Sequence, residues 1–136
     1  MSFIKNSVIR KYNVDFGLLI FRLIVGGLML THGYGKFMRL IQGDLRFADP
    51  LGLGSEASLI LAVFAEFICA LLIMLGLVTR LASIPLIITM AVAAFIIHGG
   101  DSLAEKEKAI LFLASFIILF YKGGGKYSLD HMFFKN

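Results

Sequence analysis

Runs of apolar residues long enough to cross a lipid bilayer constrain this chain more than any other feature. A hydrocarbon core of about 30 Å takes about 20 mainly apolar residues as a helix. Four stretches read as such spans, at approximately 14–38, 56–78, 81–98 and 102–121. The first is interrupted by Arg22, His32 and Lys36, the second carries Glu66 as its one mid-span charge, and the third is uncharged with Pro85 near its start. That proline is expected to kink the first turns or to mark where regular helix begins. The uncharged part of the fourth, Ala109 to Tyr121, is short by itself. Ser102 with Glu105 three residues later has the form of a capping box, however, and a helix from there reaches Tyr121 with its charged first turns at an interface.

Composition agrees. The 136 residues are 59% hydrophobic and 16% charged, with a mean hydropathy of +0.89, and a soluble chain of this size has too much surface to hide that much apolar side chain. The single cysteine, Cys69, lies in an apolar run, which excludes an intrachain disulfide and a multi-thiolate metal site and reads as packing. A net charge of +4 does not point to nucleic acid, because the basic residues are scattered and flank the apolar runs as bilayer anchors do. No cleavable signal is expected, since the first apolar stretch is too long and no Ala-x-Ala site follows.

The connections set the assembly. The 38–54 segment is rich in turn formers, while Leu45, Phe47, Leu51 and Leu53 suit a membrane surface. Spans two and three are joined only by the Leu77–Arg80 turn, so they form a tight hairpin. A single all-α membrane domain over 1–136, an up-down-up-down four-helix bundle, is the simplest result. Lys5, Arg10, Lys11, Arg80, Lys122, Lys126 and Lys135 then lie on one side and Lys36, Arg39, Arg46, Lys106 and Lys108 on the other. Seven against five favours both termini in the cytoplasm.

Charges within spans are costly and mark function by default. Arg22 lies about 10 Å from one end of span one and Glu66 about 16 Å from the same side of span two, which predicts an Arg22–Glu66 ion pair. At about 100° per residue, Lys36 and His32 fall about 40° and 80° from Arg22, on one helix side. Two clusters follow: an inner one of Arg22, Glu66 and Arg80, and an outer one of His32, Lys36, His98 and the Glu105/Glu107 pair. Plainer roles stand beside these: a register-fixing pair for Arg22 and Glu66, a positive-inside anchor for Arg80, snorkelling for Lys36, and capping or backbone bonding for the histidines. No Glu-x-x-His pair supports a metal, and no Gly-x-Ser-x-Gly, phosphate loop, dinucleotide fingerprint or haem site occurs. The residues assign no catalytic group, so any redox cofactor is diffusible or belongs to a partner.

The segment Phe21 to Phe37, FRLIVGGLMLTHGYGKF, resembles the opening span of the DoxX family in its arginine, its His-Gly and the following lysine. Glu66 matches the family's mid-membrane glutamate, and Gly76-Leu77-Val78-Thr79-Arg80 resembles its Gly-Leu-x-Thr-Arg turn. His98, Glu107 in a Glu-x-Ala setting and the tail from Gly123 to Asp130 extend the resemblance, with Gly124 where proline is common and Lys126 where arginine is common. The resemblance implies a small four-helix protein of a bacterial or archaeal inner membrane. Some members look like membrane subunits of oxidoreductases that pass electrons from sulfur compounds or thiols to quinone, or recruit soluble redox and detoxification enzymes. Carried over, the polar set is Arg22, His32, Lys36, Glu66, Arg80, His98 and Glu107, with no catalytic assignment. In that setting His32 or His98 would hydrogen-bond a quinone carbonyl, and Glu66 or Glu107 would relay protons. Three readings stand: a subunit of a quinone-linked redox complex, a non-catalytic scaffold that recruits soluble redox enzymes, and a small-molecule or proton-coupled transporter. Only four spans and no inverted repeat weaken the last.

Overall fold

The computed structural model describes residue 3 and residues 13–134. Lys5, Arg10, Lys11 and Lys135, counted above for orientation, lie outside the described residues. Every element is helical: α1 (Val14–Ile41), α2 (Ser55–Leu75), α3 (Thr79–Ile97), α4 (Leu103–Lys122) and α5 (Leu129–Phe134), with no strand among the described residues. The first three are long and apolar enough to cross a membrane.

Each boundary has a local cause. The Asn13 side chain accepts the Phe16 N–H at 3.1 Å and starts α1. Gly76, in the left-handed region at φ +69°, stops α2 three residues earlier than the apolar run suggests. Helix α3 starts at Thr79, so Pro85 lies inside it instead of marking its start. The expected capping box does not form: the Ser102 side chain makes no cap hydrogen bond, and α4 begins with the Ser102 carbonyl accepting the Glu105 N–H at 3.1 Å.

Two segments depart from α-geometry. Residues Phe64–Cys69 within α2 and Ala93–Ile97 at the end of α3 are π-helical turns. Such insertions turn side chains off the regular α-helical face and recur at functional sites.

Glycines set the register of α1 on α2. A Cβ at Gly33 would overlap the Glu66 carbonyl, and one at Gly26 would come within 2.6 Å of Met74 Cγ and 3.2 Å of the Ala70 carbonyl. Small residues allow this approach, which dispersion forces hold where lipid supplies no hydrophobic drive. Around the seam, Val25, Met29, Cys69, Ile73, Leu86 and Phe116 form the core. Leu23, Ile24 and Leu28 of α1 and Leu61, Phe64 and Ile68 of α2 point outward and exposed. An apolar exterior around buried Arg22, Glu66, Thr79 and Ser83 is the arrangement of helices solvated by lipid.

The α1–α2 loop is folded. Asp49 accepts N–H groups of Leu53 and Gly54 at 2.8 and 3.1 Å, and Ser55 Oγ accepts from Phe47 N at 2.8 Å. Asp44 pairs with Arg39 and Arg46, and the hydrogen bond from Arg46 above all holds its carboxyl below the usual carboxylate range.

Candidate functional site

Arg22 and Glu66 do not meet. Arg22 is fully buried, and its guanidinium donates to the carbonyls of Ile73 (3.2 Å), Met74 (3.0 Å) and Tyr127 (2.5 Å). The first two lie in the last turn of α2, where carbonyls lack helical partners and a cation is favoured by the helix dipole. The third belongs to the tail. On the same segment, the Asp130 carboxylate accepts the N–H groups of Val78 (2.6 Å) and Thr79 (2.9 Å) at the start of α3, and Asp130 N–H donates to the Gly76 carbonyl at 2.9 Å. Lys126 N–H donates to Asp15 at 3.0 Å. Arg22, the Gly76–Thr79 turn and the tail thus form one structural knot.

Glu66 sits at the opposite end of α1, because the Gly26 and Gly33 register carries it past Arg22. Its carboxylate, 3% exposed, accepts from Lys36 Nζ at 2.5 Å. Lys36 also lies 5.6 Å from the centre of the Phe47 ring in the loop above it.

Two cavities meet at this pair. One, of about 360 Å³, runs between α2, α3 and the α1–α2 loop; its lining is mostly apolar, including Phe47, Leu51, Leu61, Phe64 and Ile88, and Lys36 and Glu66 are its charged members. The other, of about 200 Å³, mixes charged groups with the apolar side chains of Met29, Met90, Ala93, Ala109 and Phe112 and is the more polar of the two. It is lined by His32 and Lys36 from α1, Glu66 from α2, His98 after α3, and Glu105 and Lys108 from α4. Glu66 stands in one π-helical turn and Ala93, which also borders both cavities, in the other. His98 Nδ1 lies 2.8 Å from Asp101 Oδ2, and the His32 ring stands edge-on to Phe112 with centres 6.0 Å apart.

Of the residues singled out from sequence, His32, Lys36, Glu66, His98 and Glu105 come together, whereas Arg22, Arg80 and Glu107 do not join them. Arg80 is exposed and donates to the Tyr121 carbonyl at 3.3 Å, beside the tail. Glu107 is exposed and borders neither cavity. Helical spacing explains the latter: Glu105, Lys108, Ala109 and Phe112 recur every three or four residues on the cavity face, and Glu107 falls off it. That spacing could have brought in Lys108, which sequence reasoning missed. The role of Asp130 as a cap on α3 had no local signal, because its partners lie about fifty residues away.

A buried carboxylate paired with a half-buried lysine among apolar helices, bordering both cavities, defines a membrane protein with a polar seam in its bundle. Residues 17–99 match the DoxX family, and the chain belongs to it. It is 30% identical to an uncharacterized protein of Haemophilus influenzae over 93% of this chain and 97% of that one. It is 29% identical to an uncharacterized membrane protein of Mycobacterium tuberculosis over 83% and 78% of the two chains. The inner membrane protein YqjF of Escherichia coli shares 27% identity over 87% and 92%. No solved structure matches the chain.

Proposed function

We propose that this chain is a quinone-binding subunit of a membrane redox complex, in which Lys36 and Glu66 receive the polar head of the ligand in the apolar groove. The observation that carries this reading is that the Lys36–Glu66 pair, with its carboxylate buried, is the charged part of an otherwise apolar groove lining. The groove's volume of about 360 Å³ lies at the low end of small-molecule sites, about 300–1,000 Å³, which suits a ring and the first part of a tail that continues into lipid.

The residues fit such a ligand. An ammonium has three donors, of which Lys36 gives one to Glu66, so the others are available to a carbonyl oxygen. Glu66 is the adjacent group able to hold a proton. His32 and His98 line the polar cavity rather than the groove, so contact with the head falls to Lys36, and the histidines serve Glu66. A quinone, when bound, supplies acceptance of two electrons and two protons; the electrons come from a cofactor on a soluble redox enzyme or a second membrane subunit that oxidises sulfur compounds or thiols.

The bundle in this reading has four spans, up-down-up-down. α4 packs along α3, and the charges of Glu105, Lys106, Glu107 and Lys108 suit first turns that lie at a membrane surface. The lysine and arginine balance favours both termini in the cytoplasm, as in a bacterial or archaeal plasma membrane. A pure scaffold accounts for Arg22, whose bonds are all structural, but not for an ion pair shared by two cavities.

A short-chain quinone added to purified protein should raise its melting temperature, Lys36→Met should remove the shift, and Arg80→Met should keep it. The absence of a shift with any quinone would sink the reading.

A further inference from the structure

The groove accounts for one side of Glu66 and leaves the other side without a role. On that side the cavity of about 200 Å³ carries titratable or charged groups from every element around it: His32 and Lys36 on α1, His98 after α3, and Glu105 and Lys108 on α4. Glu105 and Lys108 are exposed, and the His98 and Asp101 side chains are 42% and 41% exposed, so the outer part of this cluster reaches water. His32 is half-buried and lines this cavity together with Glu66 and the outer groups, and its ring makes no hydrogen bond among the described residues. The groove, by contrast, is bounded by the exposed apolar side chains of Leu61, Phe64 and Ile88, the kind of surface that lipid covers.

We propose that the polar cavity is an aqueous port through which Glu66 exchanges its proton with water at the loop end of the bundle, while the groove on its other face opens to lipid. A proton entering from hydronium at the mouth passes by way of water and the His32 ring to a Glu66 carboxylate oxygen, releasing one water molecule. Glu66 then gives up its bond to Lys36, and the ammonium is left facing the groove. The lipid-side ligand and the proton thus reach one carboxyl group by separate routes. This deepens the reading of the Lys36–Glu66 seam but does not require that the ligand be a quinone.

Two carbodiimides of opposite solubility test it, since both modify protonated carboxyl groups. In proteoliposomes, a water-soluble carbodiimide should modify Glu66, located by mass spectrometry and absent in Glu66→Gln. Ala109 lines the port, and Cys69, the one native cysteine, is buried. An Ala109→Cys variant should therefore react with a charged, membrane-impermeant maleimide where the unmodified protein does not. Once that label fills the port, modification of Glu66 by the water-soluble reagent should be lost, while modification by a lipid-soluble carbodiimide persists through the groove. Failure of the water-soluble reagent to reach Glu66, or its indifference to the label at Ala109→Cys, would overturn the port. A missing quinone shift with this result intact would overturn only the ligand assignment.

Discussion

Gly33 lies against the backbone of Glu66 so closely that a single added methyl group would overlap the Glu66 carbonyl. The contact fixes how far α1 slides along α2, and therefore which residue of α1 reaches the buried carboxylate. Gly33→Ala should cost about 1–3 kcal/mol as an overpacked contact and loosen the Lys36–Glu66 pair. Gly35, with nothing near its virtual Cβ, should tolerate alanine without loss. Thermal unfolding in detergent compares the two.

The ion pair itself should show strong coupling. Lys36→Met leaves a buried carboxylate without its partner and should cost about 3–5 kcal/mol, whereas Lys36→Met with Glu66→Met should cost far less. The pair Arg22→Leu and Glu66→Leu shares no contact, so their losses should add within about 0.3–0.5 kcal/mol. Coupling between Arg22 and Glu66 beyond that would contradict the register.

That register is the main point at which the sequence was not legible. The apolar runs marked α1, α2 and α3 to within three residues, and angular spacing set Arg22, His32 and Lys36 on one side of α1. Depth counted from the span ends placed Glu66 within reach of Arg22; it ignored where helices can approach, which Gly26 and Gly33, seven residues apart on one face, determine. The π-helical turns at Phe64–Cys69 and Ala93–Ile97 have no sequence signature of their own, so the groove could not be read from the sequence, whereas the outer cluster of His32, Lys36, His98 and Glu105 already marked much of the second cavity. Asp130 illustrates a further gap: a cap supplied from a distant segment leaves no trace in the helix it caps.

The tail should come loose when Arg22 or Asp130 is changed. Tyr127 is held through its carbonyl by Arg22 and Lys126 through its N–H by Asp15, so the bond after Lys126 should resist trypsin in the native protein. Arg22→Leu should make it cleavable. Asp130→Asn should speed hydrogen exchange at Val78 and Thr79 and cost about 0.5–2 kcal/mol, as the loss of a helix cap does.

If the apolar groove bordered by Lys36 and Glu66 is the ligand site, a photoactivatable quinone irradiated with the protein in lipid will mark it, and mass spectrometry will locate the labels. Labels should fall on groove-lining residues of 50–66 and 85–97, should be competed away by unlabelled quinone, and should fade in Lys36→Met. Labelling confined to the tail or the outer lipid-facing side chains, or unchanged in Lys36→Met, would contradict it.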